Sequence, residues 1–124
     1  MIPSEAVFGT DGVRGKAGEG ALAAESVERL GCALGEWLRA HGDALKPALI
    51  GGDTRASRGE ITRSLAAGLA RRGIASIDLG VLPTAALALL IDDCDASCAA
   101  VISASHNQAD DNGIKIFTGH GAKL

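Results

Sequence analysis

The sequence predicts an α/β protein: a mostly parallel, mixed β-sheet with helices on both faces, a three-layer α/β/α arrangement in one domain. Three observations predict it. Short apolar runs alternate along the chain with stretches in which apolar residues recur every three or four positions. The hydrophobic residues, 47% of the chain, are nearly all aliphatic, since aromatics make up only 2%. Polar, glycine-containing loops follow several of the apolar runs, which is where parallel sheets bind ligands. A chain of 124 residues fits one domain and can bury roughly two-thirds of its unfolded surface.

The elements follow in order. Residues 6–18 are rich in glycine around Asp11, Arg14 and Lys16 and read as a loop. From about Ala23 to His41, Val27, Leu30, Leu34, Trp37 and Leu38 mark one face of a helix, with Gly42 as its stop. Pro47 to Ile50 is short and apolar and runs into Gly51-Gly52, which suits a buried strand. Ser57 with Glu60 has capping-box spacing and opens a second helix, with Ile61, Leu65 and Leu69 on one side and Gly73 at its end. Ile74 to Leu79 alternates as a strand, Pro83-Thr84 introduces a short helix over Ala85–Ile91, and strands are expected at Ala99–Ser103 and Ile114–Phe117. Three polar loops, 51–57, 80–84 and 103–113, then fall beyond carboxyl ends of strands.

Composition narrows the function classes. A net charge of -3, with acids and bases interspersed, lacks the basic stripe of a nucleic-acid binder. No apolar run reaches the ~20 residues that cross a bilayer. The start, Met1-Ile2-Pro3-Ser4-Glu5, has no signal-peptide pattern, so a cytoplasmic protein is expected. Three cysteines, an odd number, fit reduced thiols better than a disulfide framework. Seventeen glycines are about twice the usual share, as expected of tight turns or loops that approach a ligand.

The stretch "SASHNQADDNGIK", Ser103 to Lys115, holds most of the candidate chemistry. A serine just past a strand, with His106 beside it and Lys115 nearby, could be a nucleophile or phosphate carrier. It is not the nucleophile elbow of the serine hydrolases, since Gly-x-Ser-x-Gly is absent. The plainer reading is a loop whose Ser, Asn and Asp side chains bond their own backbone. The stretch "FGTDGVRGKAG" could bind an anion through glycine amides and Arg14, or be a glycine turn with a solvated arginine; it lacks P-loop spacing. Arg55, at the mouth of a helix, hints at an anion or a paired carboxylate, against an exposed arginine near a cap. Cys94 and Cys98, with His106 and His120 downstream, lack a second close ligand pair and read as reduced, partly buried thiols rather than a zinc site. Cys32 reads as a packing residue of the first helix.

Taken together, four of these segments resemble the α-D-phosphohexomutase superfamily. They are "FGTDGVRG" (Phe8–Gly15), "GGDTRAS" (Gly51–Ser57), "GVLPT" (Gly80–Thr84) and "SASHN…DNGIK" (Ser103–Lys115), in the family's order over nearly the whole chain. The Thr-Asp-Gly form of the first points to the branch that acts on glucosamine phosphates. The resemblance implies interconversion of glucosamine 6-phosphate and glucosamine 1-phosphate through a sugar bisphosphate. It implies Ser105 as phosphoryl carrier, Lys115 as acid/base helper, Arg14 as a phosphate contact and His106 in support. Thr10, Asp11, Gly12, Arg14, Asn107 and Lys115 would bind substrate or phosphate, with Asp53 and Arg55 bracing the loops.

Mg²⁺ is implied as cofactor, ligated by Ser105 through its phosphate, with glucose or glucosamine 1,6-bisphosphate as activator or intermediate. The remaining metal ligands are expected in another domain. The resemblance implies that residues 1–124 are phosphohexomutase domain I, incomplete at its C-terminal end, with domains II–IV outside the chain. The expected partners are a sugar phosphate, those domains and, through exposed apolar surface, another copy of the chain; neither nucleic acid nor membrane is expected. The chain alone is expected to be inert. Gln108 and Ala85 stand where the family usually has proline, leaving those loops less restricted. The alternatives are a phosphomannomutase or phosphoglucomutase domain, or a non-catalytic sugar-phosphate-binding or assembly module.

Overall fold

A computed structural model describes residues 13–16, 20–52, 58–103 and 111–118. In chain order the elements are β1 (Val13–Lys16), a 3-10 turn (Gly20–Leu22), α1 (Ala24–Ala40), β2 (Ala48–Gly52), α2 (Arg58–Arg71), β3 (Ser76–Val81), α3 (Thr84–Asp93), β4 (Cys98–Ile102) and β5 (Asp111–Thr118). The strands form one sheet in the order β1-β5-β4-β2-β3. β2 is parallel to both β3 and β4, and β5 is antiparallel to β4 and β1. Four of the five described strands therefore run one way, the mostly parallel, mixed sheet expected from the alternation of elements.

Strand alternation divides the core between two faces. Ile50, Cys98, Ala100, Ile102, Ile114 and Ile116 pack with Leu30, Leu34, Leu38, Ile61, Leu65 and Leu69 of α1 and α2. Leu49, Ala99 and Val101 pack with Leu87 and Ile91 of α3 on the other face. Every residue of β2 and β4 is buried, so these strands carry no polar alternation. No described helix is long and apolar enough to cross a membrane.

Both long helices end as their glycines predict. Gly42 has φ +81°, with Gly42 N–H donating to Arg39 and Asp43 N–H to Leu38. Gly73 has φ +76°, and Ile74 N–H closes the same motif on Leu69. That corrects one boundary. Ile74 is buried at the end of α2 rather than in the strand, so β3 begins at Ser76 and reaches Val81.

A second correction concerns residues 6–18, read as a loop. Val13–Lys16 is a strand, paired with β5 through Val13–Ile114, Arg14–Gly113, Gly15–Asn112 and Lys16–Asp111. It lies at the sheet edge and shows no apolar alternation. Its strand character comes from pairing with β5, which is longer than the sequence pattern indicated. The Ser57 capping-box position lies outside the described residues.

Cys98 lies in the α1/α2-side core, where burial pushes its thiol up to about 12; a contact from the Ser97 hydroxyl, 3.9 Å away, only partly opposes this. The unfolded chain therefore ionises first. Stability from the protonated thiol is complete below about pH 9 and is lost as pH rises toward 12, at up to about 1.4 kcal/mol per pH unit. Denaturant unfolding between pH 8 and 11 checks this against Cys98→Ala, which should lose that part of the slope whatever its own cavity cost.

Candidate active site

The carboxyl ends of the parallel strands meet at one edge of the sheet. Gly52 at the end of β2 is in register with Val81 of β3 and Ile102 of β4. Ile102 pairs with Ile114, which pairs with Val13. These five residues form the last row shared by all the strands.

Beyond that row the β1–β5 ribbon continues alone. Ser103 N–H, just past β4, donates to the Gly113 carbonyl at 2.9 Å, and Gly113 pairs with Arg14. The backbones of Arg14, Gly113 and Ser103 thus share one row at the carboxyl edge. Lys115 lies one row inside, opposite Val101. Ile114 and Ile116 occupy the α1/α2 face, which leaves Lys115 half-buried on the α3 face beside Val101 and Phe117. Gly113 and Lys115 are two residues apart along an extended strand, ~7 Å.

The pairing thus brings Arg14 and Lys115, separated by most of the sequence, to neighbouring positions at the mouth of the 103–113 connection. Thr10, Asp11, Gly12, Asp53, Arg55, Ser105, His106 and Asn107 lie outside the described residues, so the fold fixes the strand ends that flank these segments.

The neighbouring edge loop, 80–84, is held by a group that sequence reasoning missed. The Asp78 carboxylate accepts from Gly80 N–H at 2.8 Å and from Arg58 Nη1 at 3.1 Å. The β2–β3 register shifts here, with Ile50 opposite Asp78 but Gly51 opposite Gly80, so Leu79 is the extra residue of a bulge. Gly80 takes φ +76°, a conformation that glycine adopts without strain. Leu82 N–H then donates to the Gly52 carbonyl at 2.9 Å, and Pro83 is the extended N-cap residue just before α3. The signals in the sequence were an aspartate inside a strand and a glycine two residues later.

Arg58 is the first residue of α2, where a cation is unfavourable to the helix dipole. Its ion pair with Asp78 offsets that placement. The cysteines read as partly buried thiols diverge, at the end of the sheet away from the site: Cys94 is exposed after α3, which corrects that reading, whereas Cys98 is buried in the α1/α2-side core. Among the described residues no three His, Cys, Asp or Glu side chains come together as a metal site.

Residues 5–124 match the family described as "Phosphoglucomutase/phosphomannomutase, alpha/beta/alpha domain I". The chain is 47% identical over 118 residues to a phosphoglucosamine mutase of Roseobacter denitrificans, covering 95% of this chain and 26% of the relative. It is 47% identical over 117 residues to a phosphoglucosamine mutase of Erwinia tasmaniensis, again 26% of that protein. A solved structure of a phosphoglucomutase/phosphomannomutase family protein from Burkholderia thailandensis superimposes with a TM-score of 0.77 at 29% identity, covering 98% of this chain and 27% of that one. The chain thus spans about a quarter of the length of the relatives it matches.

Proposed function

Because the chain belongs to the phosphoglucomutase/phosphomannomutase family as its α/β/α domain I, we propose that it is the phosphoserine-bearing domain of a phosphoglucosamine mutase. The observation that carries this reading is the convergence of β1, β4 and β5 at one edge. There the Arg14–Gly113 pair and the Ser103–Gly113 hydrogen bond bracket the two ends of the segment holding Ser105. The choice of glucosamine rests on the names of the 47%-identical relatives and on the Thr-Asp-Gly form of residues 10–12.

In this reading Ser105 carries a phosphoryl group on Oγ. Its P–O bond breaks as a new one forms to the C1 hydroxyl of glucosamine 6-phosphate, and the hydroxyl proton passes by way of a base to the departing Ser105 Oγ. The resulting 1,6-bisphosphate then returns its 6-phosphoryl group to Ser105 Oγ, and the C6 oxygen regains a proton. Glucosamine 1-phosphate leaves and the phosphoserine is restored.

Phosphoryl transfer asks the protein chiefly for positioning and for charge opposite the transferring group. Lys115 supplies a cation and the proton relay, Arg14 a phosphate contact, and His106 support. Thr10, Asp11, Gly12 and Asn107 complete the phosphate cradle. Mg²⁺ and glucose 1,6-bisphosphate belong to the same reading, with the metal held partly through the Ser105 phosphate. The described residues do not themselves furnish a metal site.

The experiment is a graft: residues 1–124 replace the N-terminal quarter of one of the phosphoglucosamine mutase relatives. Turnover of glucosamine 6-phosphate with Mg²⁺ and glucose 1,6-bisphosphate supports the proposal, and a folded but inactive graft contradicts it. In the active graft, Lys115→Ala and Arg14→Ala should each raise the barrier by roughly 3 kcal/mol, the loss expected for one preorganised charge donor. Steady-state kcat measures this, and unchanged turnover in both variants removes these residues from the site.

A further inference from the structure

We propose that Asp78 is a positioning residue of the carboxyl edge, locking the 80–83 loop and the start of α2 in one fixed arrangement; its relevance to ligand binding rests on the function proposed above. Three observations carry it. The first is the fork at one oxygen: Asp78 Oδ1 takes both Gly80 N–H at 2.8 Å and Arg58 Nη1 at 3.1 Å. One side chain thereby joins the strand that enters one edge loop to the helix that leaves another.

The second is the bulge itself. The register shift places Gly80 and Val81 opposite Gly51 and Gly52, and Leu82 N–H then reaches Gly52 O at 2.9 Å. Asp78 holds Gly80 N–H at this register shift, and without that acceptor the loop's exit from the sheet is free to shift. Bulges next to functional sites serve to re-aim a strand end in this way. The third is location. β3 is an edge strand, and Asp78 is half-exposed on it while Arg58 is mostly covered. An aspartate is a poor choice for strand propensity at such a position, and the two hydrogen bonds account for its presence.

The pair acts by geometry, since both groups sit beside the edge where the sugar phosphate is proposed to bind and neither is assigned to the reacting atoms. The test uses isotope-labelled chain and three variants. Hydrogen exchange at the Leu82 amide, read without ligand, reports the loop's attachment to β2. Asp78→Ala should speed that exchange at least tenfold, while the amides of Ile50 and Val101 keep wild-type protection. Asp78→Asn, whose amide oxygen still accepts, should restore most of the protection. Arg58→Gln should leave Leu82 nearly unchanged but speed exchange in the first turn of α2.

The same substitutions in the grafted mutase are then titrated with glucose 1,6-bisphosphate and Mg²⁺ while the Gly52, Leu82 and Ser103 amides are followed. Asp78→Ala should need at least fivefold more ligand, with Asp78→Asn close to wild type. Unchanged Leu82 exchange in Asp78→Ala overturns the positioning role, and lost protection with unchanged affinity overturns its link to binding. A wild-type graft that shows no ligand-dependent shifts contradicts the proposed function instead, and Leu82 exchange still decides the role of Asp78.

Discussion

Alanine in place of Ser105 abolishes turnover in the grafted mutase, by at least roughly a thousandfold, the scale on which loss of a covalent nucleophile is felt. The reaction passes one phosphoryl group out from Oγ and receives another back on it, so no neighbouring donor replaces the missing oxygen by proximity alone. Ser103 sits at the end of β4 with its N–H held by Gly113. Ser97 is 3% exposed, with its hydroxyl donating to Pro47 O at 3.2 Å. Ser97 is thus buried and engaged, and Ser103 is fixed at the strand end, two residues from position 105. The described cores are built from aliphatic side chains, and serine to alanine removes no apolar group, so the variant should keep wild-type circular dichroism and melting temperature. The check is kcat beside a thermal melt; a well-folded variant retaining a few per cent of turnover contradicts the assignment.

Gly68→Ala destabilises the domain by roughly 3 kcal/mol or more, the upper range for overpacking against rigid neighbours. A methyl group at Gly68 would collide with the Glu28 carbonyl and lie 2.8 Å from Cys32 N and 2.9 Å from Gly31 Cα. All three are backbone atoms of α1, so no rotamer change relieves the clash and the helices must separate. Gly31 faces the same crossing from the other side, against the Leu65 carbonyl. Separation would loosen the Leu30, Leu34, Leu65 and Leu69 packing that covers one face of the sheet. Alanine's better helix propensity, worth about 1 kcal/mol, offsets only part of this.

Gly59→Ala is the control. Among the described residues that position meets only the tip of Arg63 at 3.6 Å, and the variant should gain up to about 1 kcal/mol. Thermal melts should separate the two variants by on the order of 10 °C or more. A Gly68→Ala protein as stable as wild type contradicts the close helix crossing.

What the sequence made legible tracks how local each signal is. The periodicity of Val27, Leu30, Leu34 and Leu38 and the stop at Gly42 identify α1 almost to the residue, since helix face and C-terminal motif are both encoded within a few positions. β2 and β4 are legible as continuous apolar runs because both their faces are covered. β1 was not legible. Val13–Lys16 has neither apolar alternation nor β-branched enrichment, and its strand state depends on β5, about 100 residues later in the chain.

The same distance hides the meeting of Arg14 with the Ser103–Gly113 row, which only the strand order reveals. Resemblance to a family names Arg14 and Lys115, and strand pairing brings their backbones to neighbouring positions. Asp78 escaped notice because its role depends on Arg58, 20 residues away, and on a register shift that propensity does not encode. Residues 104–110, central to the proposed chemistry, lie outside the described residues, so their reading rests on motif and on the strand ends that frame them.

The most direct test of the central claim is the position of the phosphate. The grafted enzyme is incubated with glucose 1,6-bisphosphate and Mg²⁺, digested, and its phosphopeptides are mapped by mass spectrometry. The account predicts one phosphate on the peptide that contains Ser105, lost on later incubation with glucosamine 6-phosphate. Phosphate on Ser103 or Ser97 with Ser105 unmodified, or turnover with no phosphopeptide from this domain, contradicts it.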